Sequence, residues 1–381
     1  MNKYLLVVLL HTFYLASLIS QSYPFRLISD RTTESLLIDV PHKSMKDKFQ
    51  IFSDESYLTV SRLNLNLNYN NSANELTESH ILIGDLNPHF YLFNKTGSFL
   101  RNLLIDINPH FVFRILDQFS GPVRTPSANP GFKLYYFADK WEKTKIKKAI
   151  TIGYYHLSNG QDAHPLADSV KLDPKFAYIN QGKHFNRYNG NFSTNYLTFG
   201  FNLFWDKEYD TPKSTKINVV SSRLFRNLNY PELPLSSTVS SFSINTELHT
   251  KNFGNSNIAI LAYEPELIGY YSFLRAGLTY KLIRTYNSEI INGLAKTINQ
   301  REYDRFKIYV NVALDKINKL PNYDFFSRIN AEISYHMRLP YSDFVSWYAK
   351  MGFYGSDPYN IYLEDRIFYA QLGLAIGSFI F

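Results

Sequence analysis

Hydrophobic and polar residues alternate along most of this chain. Ser61-Arg62-Leu63-Asn64-Leu65-Asn66-Leu67-Asn68-Tyr69-Asn70 does so without a fault. From Leu103 to Ile115, Ile105, Ile107, Phe111, Phe113 and Ile115 share one face, and Asp106, Asn108, His110 and Arg114 the other. Phe242, Ile244 and Leu248 oppose Ser243, Asn245 and His249. Phe306, Ile308, Val310, Val312 and Leu314 oppose Lys307, Tyr309, Asn311 and Asp315. Ile329, Ala331, Ile333 and Tyr335 oppose Asn330, Glu332 and His336. A period of two belongs to a strand, whose successive side chains point to opposite faces.

The length of these segments narrows the fold class. Soluble strands have about 5–6 residues and a tilted membrane strand needs roughly 9–11, whereas these run to about 9–14. A polar face opposite a band of Leu, Ile, Phe and Tyr predicts an all-β fold, an antiparallel transmembrane β-barrel. About 12 to 14 segments can be counted, and closed bacterial barrels favour even numbers, so about 12 strands are expected.

The ends of the chain add a leader and a terminus. Residues 1–22 read as a secretory signal peptide: Lys3 supplies positive charge, Tyr4 to Ile19 an apolar core, and Ser20-Gln21-Ser22 small residues for cleavage. An N-terminal anchor helix is the other reading of the same stretch. Beyond it, no apolar run approaches the ~18 residues of a membrane helix. Residues 23–57 lack strong periodicity and read as an N-terminal periplasmic segment, which leaves 58–381 for the barrel. The chain ends on Phe381, and a terminal aromatic after an alternating segment resembles bacterial outer-membrane barrels.

Composition excludes several alternatives. Aromatics make up 17% of the residues, which suits half-apolar strands. There is no cysteine, so disulfides, thiolate zinc sites and cysteine nucleophiles are ruled out. A net charge of +7 raises nucleic-acid binding. The dense basic run, however, is Lys140 to Lys148, which reads as a solvated turn or a contact with anionic lipid. No groove-reading motif accompanies it, and no nucleic-acid partner is expected.

The candidate chemistry sits in Gly153-Tyr154-Tyr155-His156-Leu157-Ser158-Asn159-Gly160. Ile150, Ile152, Tyr154, His156 and Ser158 share a strand face, which places an imidazole beside a hydroxyl, the pairing nucleophilic catalysis needs. That face is the apolar one. After a long loop, Asn195 tops a second apolar stripe with Leu197, Phe199, Phe201, Leu203 and Trp205. If the two strands are neighbours, His156, Ser158 and Asn195 meet outside the barrel near a membrane rim, where the available substrate is lipid. His164 and His184 in the loop form only a widely spaced metal pair. No Gly-x-Ser-x-Gly elbow, P-loop or His-Glu-x-x-His motif is present.

The octapeptide resembles the His-x-Ser-Asn-Gly motif of bacterial outer membrane phospholipase A. Ser120-Gly121-Pro122-Val123-Arg124, with Pro130 beyond it, is similar to that family's Pro-x-Arg element. Thr194-Asn195-Tyr196-Leu197 resembles the segment that carries its third catalytic residue. These matches cover about residues 120–205. The resemblance implies an outer-membrane phospholipase with A1/A2 activity: Ser158 the nucleophile, His156 the base and Asn195 its orienting partner. It also implies calcium (Ca2+), with Ser120 given across a homodimer and Gln161 ligating through its carbonyl. A backbone N–H at the serine and calcium-bound water would hold the oxyanion. The loop is longer than the family's, so Asn180, Asn186, Asn189 and Asn191 remain alternatives to Asn195. An ungapped count puts Leu166 at a calcium-ligating serine, with Asp162, Asp168 and Ser169 as substitutes. The rival from another class is a non-enzymatic porin or transport barrel.

Overall fold

A computed structural model of the chain describes residues 54–66, 80–93, 103–116, 123–137, 146–169, 171, 184–186, 189–213, 235–250, 263–292, 295–315, 317–320, 323–339, 345–355 and 366–376. The expected signal peptide, most of the periplasmic segment, Ser120, Asn180 and Phe381 lie outside the described residues. The strands are β1 (Ser56–Asn66), β2 (His80–Leu86), β3 (Phe90–Phe93), β4 (Leu103–Leu116), β5 (Val123–Phe137), β6 (Ile146–Ser158) and β7 (Ser193–Lys213). They continue with β8 (Leu235–His249), β9 (Leu274–Asn292), β10 (Ala295–Ala313), β11 (Ile329–Arg338), β12 (Val345–Tyr354) and β13 (Ile367–Ile376).

β1 pairs antiparallel with β2, each strand from β3 to β12 pairs antiparallel with the next in sequence, β13 pairs with β1, and β2 pairs with β4 as well as β1. That closes the ring. β2 and β3 occupy one position in it, because Leu86↔Phe111 and Phe90↔Ile107 belong to the same register on β4. The molecule is therefore a closed antiparallel transmembrane β-barrel of 12 strands. Closure satisfies the ladder of every strand without an open edge, which the bilayer interior demands.

The break between β2 and β3 has a chemical cause. Pro88 falls opposite Pro109 in the continuing register, and Pro109 pairs with Pro130 on β5. Proline donates no hydrogen bond to a ladder. Pro130 in turn stands opposite His156, between the pairs Ala128↔Ser158 and Gly131↔Tyr155. A row of three prolines thus runs around the outer face to the histidine.

Alternation sorts the two faces. On β6, Ile146, Lys148, Ile150 and Ile152 are exposed, while Lys147, Ala149, Thr151, Gly153, Tyr155 and Leu157 are buried. Of the basic run near Lys140, Lys147 therefore turns into the barrel and not onto a surface turn. The outward face elsewhere carries Leu58, Phe132, Phe199, Phe201, Ile244, Ile333 and Leu372.

The lumen is wet chemistry in a closed space. Arg305, 1% exposed, bonds Glu302 and reaches Glu55 at 3.2 Å. Lys281 and Lys307 both meet Asp54, at 2.9 and 2.7 Å. Asp54 and Glu55, just before β1, turn their carboxylates into the lumen. Histidines on lumenal positions pair with carboxylates: His89 with Asp106, His110 with Asp85, His336 with Glu302. These charges hold each other, because a buried ion that loses its partner is left uncompensated.

The outward face generates a first prediction. Leu372 is 69% exposed on β13. Leu372→Arg should lower stability by about 2–4 kcal/mol in lipid vesicles if it lies near the bilayer midplane. Denaturant titration of the reconstituted barrel measures this, and an unchanged midpoint would remove that face from lipid.

Candidate active site

Strand β6 carries His156 and Ser158 outward, at the end of the barrel opposite the start of β1. Both are partly exposed, whereas Tyr155 and Leu157 between and beside them are buried on the lumenal side. β7 pairs with β6 so that Asn195 faces His156 and Ser193 faces Ser158. Register thus turns a sequence separation of 39 residues into a side-chain contact: His156 Nδ1 lies 2.9 Å from Asn195 Oδ1. An amide oxygen only accepts, so Nδ1 carries the proton and Nε2 keeps its lone pair. Asn195 is 2% exposed, so water has little access to compete for that bond.

The other described asparagines of the loop are engaged elsewhere. Asn186 donates to the His164 carbonyl at 3.1 Å and to Asn189 Oδ1 at 2.9 Å. Asn191 donates to the Glu264 carboxylate. Asn195 is the one that meets the imidazole.

Asn159-Gly160 explains why the strand stops where it does. Gly160 has φ 64°, the left-handed region that glycine enters without steric cost. The buried Asn159 ties the two ends of the loop together. Its Oδ1 accepts from Phe192 N–H at 2.9 Å and Gln161 N–H at 3.3 Å, and its Nδ2 donates to the Gly190 carbonyl at 2.8 Å. Its own N–H donates to the Phe192 carbonyl at 3.0 Å. Sequence reading noticed this asparagine as part of a motif but missed the clamp, which needs a partner 33 residues away.

Behind the site lies a second apolar core. Tyr155, Leu157 and Tyr196 from the strands meet Phe185, Phe192, Leu267, Tyr271, Phe273, Ile317 and Leu320 from three connections. Tyr155 stacks on Tyr196 with centroids 5.4 Å apart. Gly131, opposite Tyr155, makes room for that ring; a Cβ there would come within 2.2 Å of it. His249, fully buried, adds a polar tie to Thr194 Oγ1 at 3.1 Å, next to Asn195. The described parts of the long loop thus pack on the lumenal side of β6, while His156 and Ser158 on its outer face stay partly exposed.

One more group borders the site. Glu264 N–H donates to the Ser193 carbonyl at 2.9 Å, one strand from Ser158. Burial, helped by a hydrogen bond and the charge of Glu266, pushes the Glu264 carboxyl up to about 7. Glu266 is lowered, chiefly by the same shared bond.

Of the expected calcium donors, Ser120 lies outside the described residues. Gln161 is half-buried at the turn, its N–H on Asn159, and Asp162, Asp168 and Ser169 are exposed. Among the described residues, no three His, Asp or Glu side chains come together as a metal site.

No family model and no curated protein matches this chain. Among solved structures, it is similar to outer membrane phospholipase A from Escherichia coli, at 14% identity and a TM-score of 0.41, over 86% of this chain and 91% of that one. The Salmonella typhi outer membrane phospholipase dimer with bound calcium gives the same identity, TM-score and coverage. A mutant porin of Rh. blastica aligns at 8% identity with a TM-score of 0.21, over 84% of this chain and 98% of that one.

Two predictions follow from the geometry. Asn159→Ala removes one acceptor and one donor of the buried clamp, each worth about 1–3 kcal/mol when its partner is left unsatisfied. Proteolysis within 159–192 should accelerate while the barrel stays folded; unchanged cleavage would show that the clamp is dispensable. The second concerns pH. The folded Glu264 binds its proton more tightly than the free carboxyl, with its ordinary value of 4.5. Its contribution is complete below 4.5 and is lost as pH rises through about 7. The hydrogen-exchange protection factor of the Glu264 amide should fall across that window in wild type and stay flat in Glu264→Gln.

Proposed function

We propose that this chain is a serine esterase of the bacterial outer membrane that cleaves acyl ester bonds of phospholipids. The observation that carries this is the His156–Asn195 bond on the outward, apolar face, two residues from Ser158. A water-soluble substrate would need none of that placement. A lipid ester reaches it by lateral diffusion, with its acyl chains already beside the barrel.

The chemistry follows from the tautomer. With Nδ1–H held by Asn195, Nε2 takes the proton of Ser158 as its oxygen attacks the ester carbonyl. A tetrahedral oxyanion forms and collapses, expelling the alcohol, which receives the proton from the imidazolium. Water then repeats the sequence in reverse on the acyl-serine. Asn195 is neutral and stabilises the imidazolium less than a carboxylate would, so more of the work falls to oxyanion donors. The resemblance assigns one such donor to a backbone N–H at the serine; in the turn after it, the Asn159 and Gln161 N–H groups are already bonded to the Phe192 carbonyl and the Asn159 side chain.

Calcium and an active homodimer belong to this reading through the resemblance, with Ser120 and Gln161 as donors. If bound there, the ion would supply charge to the developing oxyanion. Hydrolysis with calcium against chelator tests that part separately. The competing reading, a porin or transport barrel, is disfavoured by the lumen. Ion pairs cross it and an aromatic core roofs one end.

The test is hydrolysis of phospholipid in mixed micelles by purified protein. Ser158→Ala should lower kcat by at least about 10³-fold. Asn195→Ala should cost on the order of 10²-fold, mainly in kcat. Equal activity of wild type and Ser158→Ala would end the mechanism.

A further inference from the structure

We propose that the barrel lumen contains a binding site for a small zwitterion, gripped by its primary ammonium group. The interior holds a cavity of about 500 Å³, a size typical of small-molecule sites. Register builds its wall. Lys133 pairs with Gly153, Gly153 with Thr198, and Thr198 with Glu247, so one level of the lumen runs Lys-Gly-Thr-Glu across four successive strands. Asn311 on β10 leans onto that level. Its Nδ2 donates to Glu247 Oε1 at 3.2 Å and to the Tyr309 hydroxyl at 2.8 Å.

Three oxygens here have no hydrogen-bond partner among the described residues: Thr198 Oγ1, Glu247 Oε2 and Asn311 Oδ1. Their residues are 7%, 7% and 4% exposed, and all three line the cavity. The amide of Asn311 cannot turn over, because Nδ2 must face the Glu247 carboxylate. The ion-pair contact of Glu247 Oε2 is His249 Nε2 at 3.9 Å, too long for a hydrogen bond. Arg275, next to Glu247 in register, directs Nε to the Ser272 carbonyl at 3.2 Å and lies 4.5 Å over the Tyr271 ring.

Native interiors rarely leave such groups unpaired, so each open acceptor calls for an occupant. A water donates two hydrogens. A primary ammonium donates three and brings a positive charge to the buried carboxylate. Gly153 supplies the recess between the two poles: a Cβ there would stand 2.6 Å from Thr198 Oγ1. On its other side, Lys133 Nζ lies 5.8 and 5.9 Å from the ring centroids of Tyr135 and Tyr155. Among the described residues, no carboxylate makes an ion pair with it, which leaves that ammonium for the acidic end of the ligand. An ω-amino acid and a phosphoethanolamine head group share this chemistry. The site lies on the lumenal back of β6 and uses neither His156 nor Ser158.

Calorimetric titration of the purified full chain in detergent, with β-alanine and with phosphoethanolamine, tests the proposal and distinguishes the two sources. At least one should bind saturably, at least tenfold tighter than glycerol phosphate, which lacks the ammonium. Thr198→Val, close to isosteric, and Glu247→Gln should each weaken it tenfold or more. Lys133→Met should weaken the zwitterion but not ethanolamine. Ser158→Ala should bind as wild type, which separates this site from the esterase. No saturable binding of either zwitterion, equal binding of glycerol phosphate, or wild-type affinity in both Thr198→Val and Glu247→Gln would overturn the proposal.

Discussion

The register of the closed ladder is the constraint on which everything else depends. In a bilayer, a backbone N–H or C=O without a partner is expensive, so the strands must pair all the way round. Once they pair, a period of two leaves each side chain only one face to occupy. A slip of one residue in β6 would move Ile146, Ile150 and Ile152 into the charged lumen and Lys147 and Thr151 into lipid. The apolar residues of β6 therefore fix its outward face, and His156 and Ser158 are carried outward with them. The same holds for β7, where Phe199 and Phe201 carry Asn195. The contact between His156 and Asn195 is a consequence of hydrophobic patterning on two strands, and needs no special backbone of its own.

Polar groups on a lipid-facing surface are tolerable only where they satisfy one another or reach the rim. Both conditions hold here. Ser158 is the last residue of β6, and the imidazole and amide beyond it use each other as partners. The proline row meets His156 on the same level. Pro130 stands opposite His156 where the β5–β6 pairing is interrupted, so a missing donor falls beside the histidine. That local gap in the ladder adjoins the histidine.

Much of this was legible in the chain, and the limit has a physical origin. Alternation in Phe306 to Leu314 or Ile150 to Ser158 reports a face directly, because side-chain direction in a strand depends on position parity alone. Closure and strand number followed from segment length and count. The roof over the lumen was not legible. Phe185, Phe192, Leu267 and Tyr271 lie in connections with no period, and their common core depends on contacts between distant segments. The same is true of Lys147, whose basic neighbours suggested a surface turn although parity places it inside. Among the loop asparagines, local context and face parity favour Asn195 over Asn186 and Asn191, and the pairing of β6 with β7 brings it to the imidazole.

The loop roof also explains how one strand can serve two environments. Tyr155 and Leu157 anchor β6 from the lumenal side, under Phe185 and Phe192, while His156 and Ser158 stay outside. Packing on the inner face restrains the backbone that carries the outer residues. Asn159 adds the longitudinal restraint, since it holds the turn after Ser158 to Phe192 and Gly190 at the far end of the loop. An insertion in the middle of this loop would therefore leave Ser158 in place so long as both ends of the clamp survive. The loop is free to be long because its two ends, and not its length, position the nucleophile.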